Sequence, residues 1–352
     1  MDDDVNSTAF ACGTTPYSLD TVATLGMIDT AFSCIIVNVI ALVGTFGNVI
    51  NVVVLAHHGF RDSTNVLLLS MSAVDMLFLI TSIPKRLVCV LSKYDVYRSL
   101  ILNAYVTAYL WMPNRYCGLV SSGLVTFVSL ERFVAVHFPL TVSVVITPGR
   151  TLAAVLLLFA FWGVMSGPFF GLYNIAWLHD VRSNLELPQI ILANFVAKDS
   201  ESFNILNLSL AVIRGPVSVL VIVINSGAIS RRLYQATKKM TGGASILRNN
   251  RDVRVVKMLL VVTSVYAAIG IPLSAPYIAY YIYPESGVNR DGTLTATSIL
   301  LEIVNDFLYV INASVNFVIY VTMSKKFCNT YILVFSRFRL GNFRHKKKCG
   351  YD

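Results

Sequence analysis

Seven long apolar stretches divide the chain, at approximately 31–56, 64–90, 103–134, 150–175, 204–230, 254–283 and 298–322. Each is at least as long as the roughly 20 residues a helix needs to cross a bilayer core. Lipid offers no water to a backbone amide, so each stretch must close its own hydrogen bonds, and a helix does that. The third is the least apolar and holds Asn114, Arg115 and Tyr116. Polar groups are costly against lipid, so this helix is expected at the centre of the bundle. From Ser324 to Phe338 basic and apolar residues alternate at helical spacing. The pattern predicts an all-α membrane protein, a seven-transmembrane helix bundle with a short amphipathic helix on the inner surface. Its parts are an extracellular arm over 1–30, a transmembrane domain over 31–322 and a cytoplasmic tail over 323–352.

Charge placement adds an orientation. Arg231, Arg232, Lys238, Lys239, Arg248, Arg251, Arg254 and Lys257 lie around the fifth connection. Lys325, Lys326, Arg337, Arg339, Arg344, Lys346, Lys347 and Lys348 follow the seventh stretch, so 16 of the 28 basic residues fall on one side. The first thirty residues hold five Asp and no Lys or Arg. Short basic connections stay inside, which sets the N-terminus outside and the C-terminus inside. The net charge of +9 then faces anionic inner-leaflet lipid, and nucleic acid is not expected as a partner.

Composition agrees. Charged residues make up 13% of the chain, about half the roughly 25% of soluble domains. Mean hydropathy is +0.66. No positively charged leader precedes the first apolar stretch, which is expected to serve as its own insertion signal. No fixed-period repeat is visible, which argues against solenoids and simple repeat transporters. Asn6-Ser7-Thr8 is a glycosylation sequon in the arm placed outside. Asn207 and Asn312 fit the same pattern but lie at or within spans, where glycosylation is not expected. Cys328 and Cys349 on the inner side are candidates for palmitoylation, or remain plain thiols.

Particular polar residues and prolines mark each stretch: Gly47-Asn48-Val49, Asp75, Glu131-Arg132-Phe133 followed by Val136, Pro139 and Leu140, Trp162, Pro216, Pro272, and Asn316-Phe317-Val318-Ile319-Tyr320. Asp75 lies eleven residues past Thr64, roughly 16 Å at 1.5 Å per residue, near mid-bilayer. In that order the set resembles the rhodopsin-like (class A) G-protein-coupled receptors over nearly the whole chain. Its overall look is closest to invertebrate peptide receptors and mollusc chemosensory receptors.

The resemblance implies a role for each residue. Arg132 looks like the family's switch arginine, held by Glu131 at rest and freed to meet a heterotrimeric G protein. Asp252 stands where the family often has a second acid on that arginine, and Tyr320 resembles the tyrosine that rearranges on activation. Breaking such a pair biases a bistable helix arrangement, here an opening of the inner ends of helices five and six. Pro272 would kink helix six. Asp75, Ser121, Asn312 and Asn316 resemble the family's sodium pocket, an oxygen set suited to a hard cation. No cofactor is required, and Na+ would act as an allosteric ion. Alternatively Asp75, Asn48 and Asn316 are structural links between helices, and Arg132 is an interfacial arginine.

The sequence also departs from the family. Thr107 stands where the outer end of helix three usually carries a cysteine, and 176–203 contains none, so the usual bridge cannot form. Cys12 and Cys89 are then the expected outer pair, with Cys34 a competitor. Gly270 replaces the helix-six tryptophan, with Tyr266 one turn below. Phe317 replaces a proline, and Ile224 replaces a tyrosine.

Asn114 stands where amine receptors keep an aspartate, which argues against a biogenic amine. Residues 298–322 have no lysine for a retinal Schiff base. Lys85, Arg86, Arg115, Glu302 and Asp306, with Tyr277, Tyr280 and Tyr281, suggest a mixed-charge pocket for a short peptide or polar chemosensory molecule; Asn114 faces the same region. The alternative is that Arg115 pairs with Asp306 while Lys85 and Arg86 snorkel to the interface. A secondary transporter or ion-coupled carrier is the rival function, since Asp75, Arg115 and Asp306 could mark a path. No nucleophile elbow, metal-spaced cluster or phosphate loop suggests an enzyme.

Overall fold

The computed structural model describes residues 30–180, 184–195, 199–240, 250–282 and 296–338. Seven of its helices are long and apolar enough to cross a membrane: Cys34–His58, Ser63–Leu91, Val96–His137, Pro148–Phe169, Glu201–Gln235, Val256–Leu273 and Ile303–Met323. They are called spans one to seven below. Their order matches the seven apolar stretches.

Residues in the gaps start the helices. Asp62, Asp95 and Asp199 accept from the amides of Thr64, Arg98 and Ser202 at 3.1, 2.9 and 3.2 Å. Thr147 caps span four before Pro148, whose missing N–H is harmless in a first turn. Ser324 caps the short helix Lys325–Phe338 through the Phe327 amide. Apolar residues such as Phe46, Leu157 and Val164 remain two-thirds or more exposed, which marks faces turned to lipid.

Spans one and seven approach closely because spans carry small residues there. A Cβ on Gly44 would collide with Ser314 Oγ, and one on Gly47 would lie 2.9 Å from Phe317 Cβ. Asn48 Nδ2 donates to the Ala313 carbonyl at 2.7 Å across the same seam. Small residues admit this packing, and a polar side chain then links the helices. Because Phe317 keeps the N–H that a proline lacks, helix Ala296–Met323 runs unbroken through it.

Wide π turns interrupt span three at Val106–Leu110 and span five at Ile213–Val217. The second contains Pro216, which cannot donate to the preceding turn. The Ile213 carbonyl accepts from Ser218 Oγ at 2.8 Å, and the Arg214 carbonyl accepts from Ser122 Oγ of span three at 2.9 Å. Hydroxyls thus satisfy carbonyls that the regular ladder leaves exposed.

Between spans four and five stands a hairpin that the sequence reading did not anticipate. Strand β1 (Tyr173–Asp180) pairs antiparallel with β2 (Leu185–Leu192). Asn184 in the connection has φ +53°, a left-handed conformation that Asn tolerates well. Trp111 of span three meets Tyr173 edge-on at 5.5 Å, and Tyr116 meets Phe170 at 6.4 Å. Aromatic packing therefore fixes the hairpin base to span three, where Thr107 stands in place of the family's cysteine.

One cysteine expectation is corrected. Cys89 is bonded to Cys34, not to Cys12: the Cα atoms of Cys34 and Cys89 are 5.8 Å apart, so the bridge joins spans one and two directly. Cys328 is half-buried in the first turn of the helix Lys325–Phe338. Cys12, Cys349 and Asn6 lie outside the described residues.

Candidate functional site

Polar side chains gather at three levels of the bundle. At the end opposite the hairpin, Glu131 Oε1 and Arg132 Nη2 are 2.9 Å apart, and the same guanidinium nitrogen donates to Thr64 Oγ1 at 2.7 Å. Glu131 is 4% exposed. Its Oε2 and the Arg132 Nε are buried without hydrogen-bond partners. This single-point pair is less satisfied than a bidentate one, and a partly satisfied buried network is costly to keep. Spans three, five and six are joined nearby by Asn225 Nδ2 donating to Ser129 Oγ at 3.1 Å and by the Ser226 and Thr263 hydroxyls 3.2 Å apart. The sequence reading missed these links, although Asn225 inside an apolar run was a visible signal. The Asp252 side chain lies outside the described residues. Ile224 is exposed, so that position makes no contact in the bundle core.

Tyr320 is 1% exposed, and its ring meets Phe327 of the short helix at 5.9 Å. Its hydroxyl and Ser72 Oγ are buried beside each other in a contact that falls short of a full hydrogen bond. Each such buried group costs about 1–3 kcal/mol.

At mid-bundle, Asp75 accepts from Ser121 Oγ at 2.6 Å through one oxygen and from Asn316 Nδ2 at 2.7 Å through the other. Asn312 joins Asp75 and Ser121 in lining a small cavity of about 30 Å³, though no Asn312–Asp75 bond forms among the described contacts. The same wall includes Gly118, Ser122, Arg214, Tyr266, Gly270 and Tyr309. Tyr266 donates to Ser122 Oγ at 2.7 Å. The Arg214 guanidinium carbon lies 4.2 Å from the centre of the Tyr309 ring. Arg214 was not singled out from sequence, although an arginine two residues before the span-five proline is a strong signal in lipid.

Toward the hairpin, the pocket candidates separate. Asp306 Oδ2 lies 3.3 Å from both Lys85 Nζ and Arg86 Nη1. Arg86 is 5% exposed, so it is buried and does not snorkel. Arg115 does not pair with Asp306. It donates to Asn207 Oδ1 at 2.5 Å and stands over the Trp111 and Phe169 rings at 5.4 and 5.5 Å. Asn114 Nδ2 faces the Phe78 carbonyl at 2.8 Å, Ser82 Oγ at 2.8 Å and Thr81 Oγ1 at 3.0 Å, strapping span three to span two. The Tyr277 and Glu302 side chains lie outside the described residues. Among the described residues no cluster of three or more His, Cys, Asp or Glu could hold a metal ion.

Residues 47–320 match the family model described as 7 transmembrane receptor (rhodopsin family). Growth hormone secretagogue receptor type 1 of Sus scrofa is 24% identical over 288 residues, which cover 81% of this chain and 75% of the relative. Galanin receptor type 2 of Homo sapiens is 26% identical over 298 residues, 82% of this chain and 68% of the relative. Galanin receptor 2b of Danio rerio is 22% identical over 304 residues, covering 86% and 74%.

Proposed function

This chain belongs to the rhodopsin family of seven-transmembrane receptors, and from that premise we propose that it carries the signal of an extracellular peptide to a heterotrimeric G protein. The single observation that carries the proposal is the Arg132 clamp. A partly buried arginine is held by one carboxylate oxygen of the buried Glu131 and one hydroxyl of Thr64, at the bundle end opposite the hairpin. Freed, the guanidinium would offer donors to a partner docking at that end. The weak polar links among spans three, five and six would oppose their separation by little, since an ordinary hydrogen bond nets about 1 kcal/mol.

The basic segments beside Arg231 and Lys325 support an inner position for this end, which puts the hairpin outside and the receptor in the plasma membrane. Relatives named for galanin and for growth hormone secretagogue support a peptide as the ligand. Asp306 with Lys85 and Arg86 forms a charged cluster on the outer half, with one acid between two bases. This region would accept the ligand's polar groups. Asn114 is engaged in the strap between spans two and three and serves to position that pocket.

The test is nucleotide exchange on added heterotrimeric G protein by the purified full chain, screened against neuropeptides and polar chemosensory molecules. A peptide should stimulate exchange in the native chain and not in an equal amount of folded Arg132→Ala. Ligand uptake into vesicles without exchange would instead identify a carrier.

A further inference from the structure

The resemblance to family members brings a sodium ion to Asp75, Ser121, Asn312 and Asn316. The oxygen set is present, but the charge around it is not what a cation needs. Asp75 already receives two hydrogen bonds, one per carboxylate oxygen. The cavity it lines also contains the Arg214 side chain. A guanidinium stays protonated in any protein environment. Two unit charges in a poorly solvated cavity interact far more strongly than in water, so a second cation entering this space meets repulsion from the first.

The sequence makes room for that arginine. Arg214 Nη2 lies 2.7 Å from the point where a Cβ on Gly118 would stand, so any side chain at 118 would displace it. Across the cavity, Gly270 replaces the large aromatic of the family. A Cβ there would lie 2.6 Å from Val219 Cγ2, so span five closes against the glycine. The guanidinium then reaches past span three to the face of Tyr309 on span seven, 4.2 Å from the ring centre. Gly118 and the facing Tyr309 ring therefore build a seat for one fixed cation, while Gly270 lets span five pack close beside it.

We propose that Arg214 is the resident cation of this cavity and that the receptor does not use sodium as an allosteric ion. Its positive charge lines, from span five, the same cavity as Asp75, so that a second cation approaching the carboxylate meets the guanidinium as well. Sodium sensitivity is thereby replaced by a covalently attached charge, independent of the ionic composition outside. The proposal does not depend on which ligand or G protein the receptor uses.

The experiment is thermal unfolding of the full-length purified chain in detergent, in sodium chloride and in N-methylglucamine chloride of equal ionic strength. The native chain should melt at the same temperature in both. Arg214→Gln, neutral and nearly as long, should gain a sodium-dependent rise, with at least tenfold tighter apparent sodium binding than the native chain. Adding Asp75→Asn to that variant should abolish the rise, and Arg214→Lys should remain insensitive. Sodium-dependent stabilisation of the native chain would overturn the proposal, and that measurement decides even if a variant fails to fold. Insensitivity of a folded Arg214→Gln would also overturn it, because Arg214 would then not be what keeps sodium out.

Discussion

Asp306 lies 3.3 Å from Arg86 and ties span seven to span two on the hairpin side of the bundle. The two partners differ in surroundings: Arg86 is 5% exposed, and Asp306 is 29% exposed. Losing the acid would therefore strand a buried guanidinium. Arg86 Nε already lacks a partner, so no alternative acceptor stands ready on that atom.

Asp306→Asn is accordingly expected to destabilise by about 3 kcal/mol, the lower end for breaking a buried pair. Lys85→Ala should cost under about 1 kcal/mol, because Lys85 is 47% exposed. Thermal unfolding of the three proteins checks the order. Equal losses in both variants would show that burial does not govern this cluster.

Asn114 spreads two amide hydrogens over three acceptors on span two. Asn114→Leu should lower stability by about 1–3 kcal/mol, through unsatisfied acceptors and not through lost volume. The effect should be seen in unfolding of the ligand-free protein. A change confined to ligand affinity, at unaltered melting temperature, would return Asn114 to the ligand pocket.

Non-reducing peptide mapping should recover Cys34 linked to Cys89. Cys34→Ser and Cys89→Ser should each cost about 3 kcal/mol, as loss of a bridge typically does. Cys12→Ser should leave the melting temperature unchanged. A Cys12–Cys89 peptide would contradict the pairing.

Tyr320→Phe removes a buried hydroxyl whose contact with Ser72 falls short of a full hydrogen bond. The resting arrangement should be stabilised by about 1 kcal/mol, while ligand-independent exchange on G protein falls. These two readouts move in opposite directions only if the hydroxyl gains a partner in another arrangement. A lowered melting temperature would show instead that the hydroxyl already contributes at rest.

Much of the architecture could be read along the chain. Each apolar stretch decides its own fate, because lipid forces every segment to satisfy its own backbone. The helix starts at Asp62, Asp95, Thr147 and Ser324 are equally local. The landmarks from Asn48 to Tyr320 carried the family because each is costly in lipid wherever it points. The hairpin was less legible: β1 and β2 are stabilised by each other and by Trp111, and such pairing leaves little trace in one strand alone.

Partners were a matter for the tertiary structure alone. Asp306 could meet Arg115 or Arg86, and Cys89 could meet Cys12 or Cys34. Choosing among them requires the rotation of each helix about its axis and the distance between spans, which no local pattern contains. Arg214 shows the same limit most clearly. Its charge is plain in the sequence, but its seat exists only because Gly118 and Tyr309, from two other spans, leave room for a guanidinium between them. Lipid specified the spans one at a time, whereas their mutual packing decided what the polar groups inside them face.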